Sequence, residues 1–164
     1  MKRTLLVLVV VLLAASVLLG PAAIARAKGP PKILEFDTMV GVDRPFTRGS
    51  GNAIRGVDGG GVPWVIEEGE GKLFANGDIT VKVEGLVIAS TGRNPVASFK
   101  AIVSCLSKDA NGMKVEVNTS TGLFPASESG DAEITAHVDL PSPCIAAIMF
   151  VTSPTGSWFA ATGF

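Results

Sequence analysis

After its N-terminal leader, the chain repeats apolar side chains at every second position, and no window carries a convincing 3.6-residue period. Alternation of this kind turns one face of an extended segment to a core and the other to water. The clearest run is 132–140. Ala132, Ile134, Ala136, Val138 and Leu140 fall on one side, and Glu133, Thr135, His137 and Asp139 on the other. With Gly 19 and Pro 10 in 164 residues, the chain is cut into short pieces that leave no room for long helices.

Strands are expected at 33–40, 64–67, 72–74, 79–89, 98–106, 113–118, 132–140, 144–151 and 158–162. In the first, Leu34, Phe36, Thr38 and Val40 share a face, opposite Glu35 and Asp37. The run 144–151 is apolar on both faces and reads as a central, doubly covered strand. Short strands at this spacing predict an all-β fold. The expected form is an antiparallel β-sandwich of about eight strands, with immunoglobulin-like or jelly-roll-like connections.

One hairpin register follows from burial. Ala75-Asn76-Gly77-Asp78 is a turn signal. A two-residue Asn-Gly turn sets Leu73 opposite Thr80. A three-residue loop sets Leu73 opposite Ile79, which gathers Leu73, Ile79, Val81 and Val83 on one face. The second register is the expected one.

The N-terminus reads as a secretory signal peptide over 1–27. Lys2 and Arg3 precede an uncharged run from Leu5 to Leu19. Gly20-Pro21 ends the helix, and Ala25-Arg26-Ala27 gives a small-x-small cleavage site. The longer uncharged stretch Thr4 to Ala25 could just span a bilayer, yet the break and the site favour cleavage, so the membrane is met only through this signal helix. A single domain is expected over 28–164. Lys2, Arg3 and Arg26 leave with the leader and no acidic residue does, so the remainder is more acidic than the full chain at -1. That balance excludes a nucleic-acid binder.

Cys105 and Cys144 both lie in the exported part, where the compartment is oxidising. One ends an apolar strand and the other begins one. Antiparallel neighbours bring such positions together, so a disulfide is expected.

Catalytic and metal chemistry find few residues. His137 is the only histidine and sits on a polar strand face. There is no G-x-S-x-G, H-E-x-x-H or phosphate-loop lysine. Gly59-Gly60-Gly61 is followed by Val62-Pro63-Trp64 rather than a helix start, so it lacks the donors of a phosphate cradle. Asp109-Ala110-Asn111-Gly112 has too few oxygen ligands for calcium. Asn118-Thr119-Ser120 is a glycosylation sequon by letter. Glu67, Glu68 and Glu70 beside Trp64 are the raw material of a carboxylate hydrolase, or a solvated turn. No cofactor or metal is expected.

The stretch from Asp43 to Pro63 is too long for an ordinary connection. It holds Arg44, Phe46, Arg48, Asn52, Arg55 and Asp58 and runs into Trp64. Guanidinium groups recognise carboxylates and phosphates in a planar, bidentate way, and an indole offers a flat face. Arg44, Arg48, Arg55 and Trp64 are therefore the candidate ligand-binding residues. The structural alternative makes Phe46 and Trp64 core residues and pairs the arginines with Asp43 and Asp58.

Four segments carry a resemblance: IRGVDGGGVPWV from Ile54, FKAIVSCL from Phe99, VDLPSPCI from Val138 and FVTSPTGSWFAATG from Phe150. In these the chain resembles a family of small secreted bacterial proteins of unassigned function. The resemblance covers nearly the whole exported part, includes both cysteines and implies a single domain. It implies no activity and no site residues.

Three functions compete. The leading expectation is a secreted, non-catalytic β-sandwich that binds a protein or glycan of the cell envelope. The second is an extracellular hydrolase working through carboxylates. The third is a small outer-membrane barrel, suggested by strand number and the terminal Phe164. A chain with Tyr 0 and 6% aromatics cannot build that barrel's interfacial girdles.

Overall fold

The computed structural model describes residues 29–49 and 51–162, so the expected signal peptide and Phe164 lie outside the described residues. In chain order the strands are β1 (Lys32–Phe36), β2 (Met39–Gly41), β3 (Trp64–Val65), β4 (Glu68–Phe74), β5 (Asp78–Glu84) and β6 (Val87–Ile88). They continue as β7 (Ser98–Lys108), β8 (Lys114–Ser120), β9 (Phe124–Pro125), β10 (Ala132–His137), β11 (Ile145–Thr152) and β12 (Trp158–Thr162).

A four-stranded sheet has the order β1-β4-β5-β10. A six-stranded sheet has the order β2-β12-β11-β7-β8, with β9 also paired to β7. β3 and β6 form a small separate ribbon. All strand pairs are antiparallel. The fold is an all-β sandwich, as the alternation predicts.

The two large sheets share one apolar core. Leu73, Ile79, Val81 and Ile134 come from the first, and Phe99, Val103, Met149 and Val151 from the second, none more than 1% exposed. The β4–β5 hairpin takes the register that burial favours: Leu73 lies opposite Ile79. Gly77 closes the loop with φ 93, a backbone state that costs glycine little. On β10, Ala132 and Ile134 are buried and Glu133, Thr135 and His137 are exposed, as expected.

Three strand expectations are corrected. The run 33–40 is two strands, since the chain breaks at Asp37-Thr38 and crosses from the four-stranded to the six-stranded sheet. The crossing resets the alternation. Met39 is buried, whereas Val40, expected inside, is 58% exposed. The run 79–89 also divides, at Gly85, whose φ of 65 turns the chain out of the sheet. β11 is central, between β12 and β7, but only its second half is fully covered; Ile145 and Ala146 are exposed.

The six-stranded sheet is buried on both sides over much of its area. Residues directly opposite one another across strands share a face. Val103, Met149 and Ala160 therefore turn inward with Phe99. Ile102 and Phe150 turn outward, yet they are only 8% and 0% exposed. The cover on that outer side is the stretch after β2, called the strap below.

Candidate functional site

The strap, residues 43–60, starts and ends at one anchor. Val42 N–H donates to Phe159 O at 2.8 Å, and Trp64 N–H donates to Val42 O at 2.8 Å. Further along, Gly60 N–H donates to Trp158 O and Trp158 N–H to Asp58 O, so the strap runs parallel to the start of β12. Gly59 has to be glycine there: a Cβ would stand 2.1 Å from Phe46 O. The glycine run is thus a close backbone contact, not a phosphate cradle.

At its tip, Ile54 and Val57 exchange backbone hydrogen bonds around Arg55 and Gly56, whose φ values are 47 and 73. Positive φ at both central residues is the pattern of a type I′ turn. Arg55 then reaches onto the sheet. Its Nη1 donates to Ala146 O at 2.8 Å and to Ser104 O at 3.1 Å, while Asn118 Nδ2 donates to Arg55 O at 2.8 Å.

These contacts sort the four candidate residues. Arg55 is committed to main-chain carbonyls, neither pointing to a ligand nor pairing with Asp58. Trp64 is a core residue, 4% exposed, stacked on Phe159 at 3.8 Å with Phe99 edge-on at 6.5 Å. Its face is covered, which corrects its assignment as a ligand platform. Arg44 and Arg48 are exposed, and neither forms an ion pair among the described residues.

The aromatic next to the strap is Trp158. Phe46, 40% exposed, lies 6.4 Å from it, and Phe150 lies 6.0 Å away beneath. Arg48 N–H donates to Gly60 O, one step from the Gly60–Trp158 bond. Trp158 was not visible as a site residue in the sequence. It opens an apolar strand, and only the folding-over of a distant segment gives it this neighbour.

The other candidate surface is the polar face of the four-stranded sheet. An open groove of about 630 Å³ crosses it, lined by Glu35, Glu70, Lys72, Thr80, Lys82 and Glu133 among others. Lys82 lies in register between Glu70 and Glu133. Two strand spacings place those carboxylates on the order of 9.5 Å apart at the backbone. The Glu67, Glu68 and Glu70 cluster is exposed and does not share a cleft with buried Trp64.

The displaced carboxyl groups are all displaced downward. Glu35 is held below the usual carboxylate range chiefly by hydrogen bonding from Lys32. Asp78 is lowered first by His137, whose Nδ1 donates at 2.9 Å, and then by Asn76. Asp131 is lowered by Ser129, by the Gly85 N–H and by Ser127. A general acid needs the opposite shift. Lys82 is raised by its ion pair with Glu84.

Among the described residues no group of three or more His, Cys, Asp or Glu is placed to hold a metal ion. Asp109 folds its carboxylate back on the N–H groups of Asn111 and Met113. The sequon residue Asn118 is exposed on β8, with its amide on Arg55 O.

The expected disulfide is present. Cys105 and Cys144 are bonded, with Cα atoms 4.9 Å apart. Cys105 is fully buried, and Cys144 lies one residue before β11. No family model matches the chain, and it matches no curated protein and no solved structure.

Proposed function

We propose that this chain is an exported, non-catalytic β-sandwich that binds a protein or glycan of the cell envelope, and that the strap is its contact surface. The observation that carries the reading is the pair Arg44 and Arg48. They are exposed and free of ion pairs among the described residues, on a segment fastened to the sheet beside half-exposed Phe46. Cations presented on a fixed backbone beside an aromatic suit carboxylate-bearing partners. The disulfide agrees with an oxidising compartment, and the leader over 1–27 supplies the route to it.

The hydrolase reading is disfavoured by geometry: Glu67, Glu68 and Glu70 are exposed, and Trp64 beside them in sequence is buried in the core. The outer-membrane barrel is disfavoured by the face of the four-stranded sheet turned to the surroundings. Glu35, Lys72, Thr80, Lys82 and Glu133 lie there, where a membrane barrel sets an apolar band.

Replacing Arg44 and Arg48 by alanine, alone and together, tests the reading. Adhesion of the exported protein to envelope fractions should fall while the melting temperature holds. Unchanged adhesion overturns the strap as the contact surface. Mass spectrometry of the exported form should find a chain beginning at Lys28. A membrane-bound chain that keeps Met1 overturns export.

A further inference from the structure

We propose that β8 is a docking edge for a second copy of this chain. Two β8 strands would pair antiparallel about a twofold axis at Val115, with Lys114 of each opposite Glu116 of the other. This surface is separate from the strap and does not depend on its role.

The backbone of β8 is the first observation. β8 ends the six-stranded sheet, with β7 on one side and no strand on the other among the described residues. Its register with β7 runs without a shift from Lys114 to Ser120. Just past one end of that ladder Thr121 N–H donates to Ala101 O, and just past the other Asp109 N–H donates to Met113 O, both at 2.9 Å. Hydrogen-bonded pairs alternate along an antiparallel ladder, so Val115, Val117 and Thr119 bond to β7. The N–H and C=O groups of Lys114, Glu116, Asn118 and Ser120 therefore turn away from the sheet. No backbone partner meets them among the described residues. Such a row is a template for a further strand. The other edges of the large sheets offer less. β2 has three residues, β1 carries a register shift between Lys32 and Leu34, and Ala132 and Ile134 of β10 are already buried.

The second observation is an apolar strip along the same edge. Val117 lies opposite core Cys105 and Val115 opposite buried Ser107, so both side chains are on the inner face of the sheet. Met113, two residues before Val115, continues that face by parity. The cover fades along the strip: Val117 and Val115 are half-buried, and Met113 is 67% exposed. An axis at Val115 sets Val115 against Val115 and Met113 against Val117 of the second copy. The strip is complementary to itself in this register.

Charge selects the register. The outward groups can bond only when even-numbered residues face even-numbered ones. An axis at Glu116 sets the two Glu116 carboxylates opposite each other, which is unfavourable. An axis at Val117 leaves Lys114 facing Ser120, and Glu116 facing an Asn118 whose amide is already on Arg55 O. Only an axis at Val115 sets Lys114 opposite Glu116, and it does so twice. Neither residue forms an ion pair among the described residues of its own chain. Lys114 and Glu116 then exchange backbone hydrogen bonds across the axis. The paired stretch, Met113 to Val117, is smaller than a standard interface, so the dissociation constant should be on the order of 100 µM.

The test is sedimentation equilibrium of the disulfide-bonded exported form, loaded at concentrations spanning that constant. The parent should pass from monomer to dimer. Glu116→Lys turns both cross-pairs repulsive and should weaken the dimer about tenfold. Lys114→Glu combined with Glu116→Lys exchanges the charges and should restore it. Both positions are exposed, so the melting temperature should hold in each variant. Amide exchange in the parent gives a second reading that needs no variant. The Lys114 and Glu116 N–H groups should slow as concentration rises, while those of Asn118 and Ser120 stay fast. A protein that remains monomeric at the highest concentration overturns the proposal. So does a dimer that Glu116→Lys leaves intact, one that the exchanged pair fails to restore, or one in which the Asn118 and Ser120 amides slow as well.

Discussion

Arg55 and Ala146 are the two non-glycine residues with left-handed backbone among the described residues, φ 47 and 48, and a hydrogen bond joins them. The Arg55 guanidinium donates to Ala146 O at 2.8 Å. Ala146 sits where the β11–β7 register slips between Ile145 and Ile148, across from Cys105. Arg55's other acceptor is Ser104 O, next to the same cysteine. The strap's latch, the bulge in β11 and the disulfide therefore form one cluster. The Arg55 side chain holds the Ala146 carbonyl and the Asn118 amide holds the Arg55 carbonyl, as expected where surrounding structure over-determines a rare conformation.

Arg55→Ala should cost about 2 kcal/mol, since charge-assisted bonds to two carbonyls are lost and alanine inherits the positive φ. Arg55→Gly loses the same bonds but adopts that φ freely, so it should be the milder change by about 1 kcal/mol. Urea unfolding of the two variants measures both. Equal stability of Arg55→Gly and the parent would show that the guanidinium fastens nothing.

Gly59→Ala should destabilise by more than about 2 kcal/mol, because the new Cβ meets the Phe46 carbonyl oxygen and a Val42 methyl. Gly61→Ala, two residues on, meets nothing within 4 Å and should be close to neutral. Thermal melts of the pair separate a packed strap from a solvated loop. Equal melting temperatures would mean that the strap does not rest on the sheet.

Reducing the Cys105–Cys144 bond opens a loop with a sequence separation of 39. Chain entropy puts the loss near 4 kcal/mol, which for a domain of this size lowers Tm by about 10–20 °C. Calorimetry with and without a thiol reductant gives the value directly. The strap should loosen along with it, visible as faster amide exchange at Val57 and Gly60.

The acid limb of stability should depend on Asp131 and Asp78. Their folded-state pKa values lie below the unfolded ones, so the stability they contribute is complete above the usual aspartate range near 3.8. It is lost as pH falls through the folded values. Asp131→Asn should therefore lower Tm at neutral pH and flatten its fall below about pH 4. A parallel acid limb in parent and variant would show that the Gly85, Ser127 and Ser129 contacts contribute nothing.

Much of this was written in the chain. The period-two runs at 79–83 and 132–137 gave their strands and buried faces directly, because a strand fixes side-chain direction by parity alone. The Leu73–Ile79 register followed from burial plus a glycine able to take positive φ. The disulfide followed from two cysteines at strand ends in a chain expected to be exported. Those are local properties, or properties with a single way to be satisfied.

The tertiary structure decided the rest. Nothing around Asp37-Thr38 announces that the chain changes sheets, yet that crossing moved burial from Val40 to Met39. The arginines and tryptophan of the 43–64 stretch looked like one site, but packing separated them: Trp64 entered the core because Phe159 and Phe99 met it there, Arg55 was taken by two distant carbonyls, and Arg44 and Arg48 stayed outside. Trp158 acquired its place beside the strap through a contact with Phe46 more than a hundred positions away. Parity and turn chemistry act within a few residues and are legible there. Which surfaces cover one another depends on how whole sheets stack, and no short window of sequence carries that information.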